Sequence, residues 1–330
     1  MHDDRAPASC VEEPPLDPDL AIVDAHHHLW LDPPRPVFAP YPAEALALDI
    51  ADSGHRIVAT VYVECGSAYC RDGPDAMKPV GEVSFADRVA GAAPRGSRPC
   101  AAIVGHADLL LGDAVGEVLD AAREASGRFR GIRFKTAFDA ELGPGYGSGE
   151  PGLMMRPAFR AGAAQLARRG MTFDAWMFHP QLGELVALAR ALPDLAIILD
   201  HLGGPIGKGR YADRSEETFG HWRSAMTELA TCPNVVLKIG SLNMAYAGLG
   251  RPGEGSAAIA DAQRTHVLTA IDLFGPARCM FESNFPVERT TISYGLLWNA
   301  FKRLTRQFSA DERRDLFSGT AARTYDIVDV

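Results

Sequence analysis

Short apolar runs rich in Val, Ile and aromatic residues recur along the chain at 21–25, 57–64, 100–105, 131–136, 172–178, 195–200, 234–240 and 278–283. Each has the length of a buried strand and is too short for a helix. Between them lie segments whose apolar residues return at helical spacing, notably 43–54, 113–126, 157–170 and 180–192. Several begin with Pro or end at Gly, the expected asymmetry of helix termini. Continuous apolar strands alternating with amphipathic helices indicate a parallel sheet covered by helices, and eight such units point to an α/β fold, a closed (β/α)8 TIM barrel. A doubly wound open sheet is the second choice. No linker divides the chain, because the Gly- and Pro-rich stretches 138–156 and 241–257 each follow a strand, where a barrel carries its functional loops. A single barrel domain over 20–330 is expected, with 309–327 as a closing helical segment. The polar, acidic, proline-bearing residues 1–19 read as a flexible leader.

Composition narrows the class of partner. Hydrophobic residues make up 47% and charged residues 23% of the 330, ordinary for a globular chain that can bury a large core. The net charge of −9 argues against nucleic acid or an anionic membrane as main partner, since both need a basic face. No run approaches the 18 apolar residues of a membrane span, and the N-terminus carries no apolar targeting core. The six cysteines form no CxxC pair, so neither structural zinc nor a disulfide scaffold is indicated. A cytoplasmic protein acting on a small molecule is expected, with a homodimer as the default assembly.

The polar residues with coordinating or proton-transferring side chains cluster at the ends of these runs. Run one ends in His26, His27 and His28, run two in Glu64, and run four in Arg133 and Lys135. His179 follows run five, Asp200 and His201 close run six, Lys238 lies in run seven, and Glu282, Ser283 and Asn284 end run eight. In a barrel these positions face one cavity, the active-site end. Alternation along a strand points His26 and His28 inward together and turns His27 away. It also puts Asp24 on the side of His26, as a candidate to orient a ligand imidazole, and Asp200 opposite His201, toward the helices. An inward His pair suits a divalent metal that takes three protein ligands, with His179 and His201 available to complete it. Glu64 needs a cationic or metal partner if buried. Arg133 and Lys135 share a side and offer a hold for a substrate carboxylate, with a pairing of Lys135 to Asp139 or Glu64 as the other reading. Lys238 divides evenly between a substrate contact and an interior salt bridge. The polar loop 67–82 follows run two and is expected to act as a lid or specificity loop.

In this order the segments DAHHHLW 24–30, FHPQL 178–182, DHLGGP 200–205 and FESNFPVE 281–288 resemble the amidohydrolase superfamily, in its amidohydrolase-2 branch of TIM-barrel lactonases and decarboxylases. The resemblance implies that His26, His28 and His179 bind one divalent metal, usually zinc, and that His201 polarises the substrate or transfers a proton. It also implies an aspartate after strand eight, a metal ligand and general base, in a motif resembling GSDFP. This chain has Asn284 there, and a neutral amide cannot serve as a base, so Asn284 is expected to act as a weak ligand or as a hydrogen-bond partner to the water or substrate. His201 is then the first candidate to take the proton, with Glu64 and Glu282 behind it. The resemblance implies a hydrolase that opens a lactone or related cyclic ester or amide of a small carboxylate-bearing molecule. The alternatives are a lyase of the decarboxylase kind, a lactonase needing no metal, and a barrel that binds a ligand without turning it over.

Overall fold

The computed structural model describes residues 11–33, 38–94, 96–142, 150–328 and 330. Eight parallel strands follow one another round a single sheet in sequence order: β1 Ile22–His27, β2 Ile57–Val63, β3 Ala102–Gly105, β4 Phe129–Lys135, β5 Thr172–Trp176, β6 Ala196–Leu199, β7 Val235–Ile239 and β8 Cys279–Phe281. The ring closes beyond β8, where Asn284 N donates to His26 O at 2.8 Å and His28 N to Phe285 O at 2.8 Å. The fold is the (β/α)8 barrel that the pattern of runs implies.

Among the described residues, eight helices lie in the connections: α1 Ala43–Ser53, α2 Val80–Ala92, α3 Val115–Ala125, α4 Pro157–Arg168, α5 Leu182–Ala191, α6 Ser215–Ala230, α7 Ser256–Phe274 and α8 Tyr294–Leu304. At the C-terminal end come α9 Ala310–Arg314, a π turn at Asp315–Gly319, and α10 Thr320–Tyr325. Strand alternation divides the core in two. Ile22, Tyr62, Ile103, Phe173 and Leu237 face the helices, whereas Val23, Ala25, Val61, Ala102 and Val104 fill the barrel with Tyr325 of α10. The closing helix therefore plugs the barrel interior, and only the far ends of the strands are left to build a site.

Among the residues read as leader, 11–19 lie against α7 and α8. Leu16 N donates to Asn299 Oδ1 at 2.8 Å, and the buried Lys302 Nζ donates to the carbonyls of Leu16 and Asp17 at 2.8 and 2.9 Å. Residues 1–10 fall outside the described residues, as do 143–149 of the loop after β4. No helix among the described residues is long and apolar enough to cross a membrane.

Candidate active site

One irregularity in β1 sets the aim of its histidines. Asp24 stands opposite Thr60 and His27 opposite Tyr62, so three steps on β1 match two on β2. This bulge reverses the alternation after Asp24. Asp24 turns outward, where it accepts from Ser283 N (2.9 Å), Ser283 Oγ (2.6 Å) and Tyr294 OH (2.9 Å), and it does not orient an imidazole. His27 also faces the helix layer, paired with Thr60 Oγ1 at 2.8 Å, while His26 and His28 point into the barrel mouth. Strict alternation failed for Asp24 because one extra residue sits between it and His28.

The two inward rings meet with Nε2 atoms 3.3 Å apart. His28 Nδ1 lies 2.7 Å from Val63 O, which can only accept, so Nδ1 carries the proton and Nε2 presents its lone pair. Burial and the Arg133 guanidinium hold His28 well below the ordinary imidazole range, and burial with Lys238 does the same for His26. Both rings are therefore neutral at pH 7. Arg133 Nη1 donates to His26 Nε2 at 3.2 Å.

Arg133 is fixed in turn by Glu64, which accepts from its Nε at 2.9 Å through a side-chain oxygen and from Nη2 through the backbone carbonyl. Lys135 Nζ reaches the same carboxylate at 3.2 Å, with its side chain 40% exposed. Burial raises the Glu64 pKa, but Lys135, Arg133 and His106 outweigh it and bring it down to about 2. Glu64 thus has cationic partners, and Lys135 pairs with Glu64 while Asp139 takes Arg210 at 2.7 Å.

His201 and Leu202 have φ of 58° and 54°, and Gly203 and Gly204 continue the left-handed turn at 67° and 54°. Such a conformation costs a non-glycine residue about 1–2 kcal/mol and persists only where the surroundings impose it. Gly204 is required twice over, because a Cβ there would also lie 2.5 Å from Met177 O. The turn swings His201 over Glu282. Its Nδ1 lies 2.5 Å from Glu282 Oε1 and 2.8 Å from Ser241 Oγ, and its ring lies 4.8 Å from that of His26 and 4.7 Å from that of Trp176. Glu282 Oε2 is 2.9 Å from His26 Nδ1. Burial raises the Glu282 pKa, and the facing His201 and His26 more than reverse this, to about 2.

Beneath His26 lies Lys238, fully buried, donating to Asp174 Oδ2 at 2.6 Å and lying 3.2 Å from Asp200 Oδ1 and 3.3 Å from His26 Nδ1. Of its two readings Lys238 takes the interior salt bridge. Asp200 faces the barrel, against the outward placement read from its neighbour His201: it falls on the same side as Ile198, and it is His201 that departs from alternation, in the left-handed turn that follows Leu199.

Among the described residues, the three candidate ligands whose atoms all lie within 4.8 Å of one another are His26, His201 and Glu282. His179 is not in that group. Its Nδ1 accepts from Ile206 N at 3.2 Å and its ring packs on Tyr211, whereas His201, from the next strand end, is in the group. Asn284 closes the barrel with its backbone, and its amide nitrogen lies 3.6 Å from Met244 Sδ. The sequence reading missed Asp174, although an acidic residue inside the apolar run 172–178 is a usable signal of an interior ion pair.

Glu288 is a further buried carboxyl, accepting from Asn243 Nδ2 at 2.6 Å, and burial pushes its pKa up from 4.5 to about 8 against the lowering effect of Asn243. The folded state then keeps a proton that the unfolded chain releases above pH 4.5. This contribution is complete below pH 4.5 and is lost as pH rises through 8, at up to about 1.4 kcal/mol per pH unit within that window. Glu288→Gln should remove this contribution. Urea unfolding at pH 5 and pH 8.5 should show a steeper loss of stability for the wild-type protein than for the variant; equal losses would assign Glu288 an ordinary carboxylate pKa.

With the barrel and these strand-end residues in view, comparison with known proteins gives the class. The family model Amidohydrolase (Amidohydro_2) matches residues 23–327, and the chain belongs to this family. It is a hydrolase of amidohydrolase type. A curated relative from Sinorhizobium fredii, named uncharacterized protein y4mH, is 35% identical over 94% of this chain and 99% of its own. An L-fucono-1,5-lactonase from Burkholderia ambifaria is 31% identical over 69% of this chain and 71% of its own. Among solved structures, an amidohydrolase from Burkholderia multivorans with bound zinc superposes with a TM-score of 0.72 at 25% identity, covering 93% of this chain and 99% of that one.

The residues present fit a divalent cation. Two nitrogens about 2.0–2.1 Å from one tetrahedral ion lie about 3.3–3.4 Å apart, and the two Nε2 atoms are 3.3 Å apart. His28 gives its other ring nitrogen to a carbonyl, as metal-ligating histidines do. His26 and His28 would hold the ion, taking the His26 lone pair from Arg133.

Proposed function

We propose that the protein opens a lactone, a cyclic ester of a small carboxylate-bearing molecule, with zinc as the metal. The observation that carries this reading is the meeting of the His26 and His28 Nε2 atoms beside a His201 whose Nδ1 faces an ionised carboxylate. The likeness to a relative named L-fucono-1,5-lactonase supports it. The metal, when bound, polarises the ester carbonyl or lowers the pKa of a water.

The protein's own residues do the rest. His201, with its proton on Nδ1, takes a proton from the attacking water at Nε2 and returns it to the alcohol oxygen that leaves the ring. Its carboxylate neighbour stabilises the imidazolium between these steps. Arg133, held by Glu64, keeps positive charge beside His26, and the half-exposed Lys135 offers its ammonium to the substrate carboxylate. Asn284 supplies no base, so the proton path runs through His201.

The test is turnover of a panel of aldono-1,5-lactones and carboxylate-bearing lactones in 18O-labelled water, with elemental analysis of the purified protein. One labelled oxygen per ring-opened product and about one zinc per chain are expected. An unlabelled product, or one lighter by carbon dioxide, would replace hydrolysis with lyase chemistry.

A further inference from the structure

Against the GSDFP motif that the resemblance implies, residues 282–286, ESNFP, differ at two positions, and the two differences are complementary. Asn284 stands where that motif would have Asp, and Glu282 where it would have Gly. One carboxylate is lost and one is gained, two residues earlier on the same chain segment.

The surroundings are shaped to receive the second. Gly240, at the end of β7, leaves the space that the Glu282 side chain fills: a Cβ on residue 240 would lie 2.4 Å from Glu282 Cγ and 2.6 Å from Glu282 O. Ser241 adopts a left-handed φ of 60°, and its Oγ lies 2.8 Å from His201 Nδ1. His201 N also donates to Glu282 Oε1, at 3.2 Å, so backbone and ring of one residue grip the same oxygen. The strained turn at 201–204 is thus tied to β8 through this carboxylate. Glu282 is fully buried, with no opening to substrate.

The distances tie one oxygen of Glu282 to the His201 ring. Two ligand atoms of one tetrahedral ion stand about 3.3 Å apart, whereas Glu282 Oε1 is 2.5 Å from His201 Nδ1. That is hydrogen-bond spacing, and it requires a proton between the two atoms. We propose, building on the hydrolase reading above, that Glu282 is a relocated carboxylate and the positioning residue of this site. It fixes His201 in the Nδ1-protonated tautomer, frees His201 Nε2 as proton acceptor, and replaces the missing aspartate by making His201 the base. The proton taken from water resides on His201 Nε2.

Tautomers are read directly by NMR of the full-length protein labelled with 15N at its histidines, without substrate and with or without added zinc. His201, assigned by comparison with a His201→Gln sample, should show a protonated Nδ1 and an unprotonated Nε2. In Glu282→Gln, and in Gly240→Ala, which alters no polar atom, that state should give way to a mixture of tautomers. Against a turned-over lactone, Glu282→Gln should lower kcat by about 10²–10⁴-fold with KM unchanged. The exchange Glu282→Gly with Asn284→Asp, which restores the related pattern, should recover at least tenfold over Glu282→Gly alone. An Nε2-protonated His201 in the wild-type protein overturns the proposal even if every variant misfolds. Absence of lactone turnover with the Nδ1 tautomer present would instead overturn the hydrolase reading and leave the role of Glu282 in place.

Discussion

A His201→Ala protein is expected to fold and to lose about 10²–10⁴-fold in kcat/KM on whatever lactone the wild-type protein opens, the range for removal of a general acid–base group. The size follows because no other base among the described residues of the site is free to take its place. Glu282 is buried, paired and brought down to about 2, and Glu64 is ionised, likewise at about 2, between Arg133 and Lys135. Neither can accept a proton near pH 7. His26 and His28 spend their Nδ1 atoms on protein partners and face each other with Nε2. Zinc content should persist in His201→Ala and fall in His28→Ala, which separates proton transfer from metal retention. A loss under tenfold in His201→Ala would move the base elsewhere.

Lys238→Met should lower stability by about 3–5 kcal/mol, because it strands buried carboxylates without their cation. Burial alone would lower the Lys238 pKa, yet Asp174, Asp200 and Glu282 hold it above the ordinary lysine value, so the ammonium is charged. Asp174 retains only Tyr325 OH, at 2.6 Å, once the ammonium is gone. Urea unfolding measures the effect, and adding Asp174→Asn to Lys238→Met should recover part of it by removing one stranded charge. A change below about 1 kcal/mol would mean that the pair is no better than a well-packed apolar contact, a known outcome for some buried ion pairs.

These two changes mark the layers of the site. Lys238, Asp174 and Tyr325 join the plugged half of the barrel to the mouth, and His26 rests on them. Above, Glu64 with Arg133 and Glu282 with His201 are two acid–base pairs on opposite flanks of the His26 ring. Removal of the lower layer should lower stability first. Removal of either upper pair should change its chemistry first.

Much of this is legible in the order of residues, and the particulars show why. The eight apolar runs correspond to β1–β8 within a few residues, since a strand covered by helices on one face and a packed barrel on the other has to be continuously apolar. The inward pair His26 and His28 follows from a period of two. Asp24 broke the same rule because a bulge is a backbone event with no required residue type. Asp200 kept it, pointing inward with Ile198, and the left-handed turn after Leu199 is what carries His201 to the same side. His179 is a strand-end histidine like His201, but a hydrogen bond from Ile206 and packing on Tyr211 keep it out of the converging group.

The order of strands and helices and the end of the barrel that carries the polar groups were determined by the sequence alone, because both rest on periodicity and on which residues water rejects. Which polar groups meet was decided only in three dimensions. Glu282 reaches His201 because Gly240 leaves room and four left-handed residues bend the chain toward it, and contacts between residues tens of positions apart leave no periodic trace in a sequence.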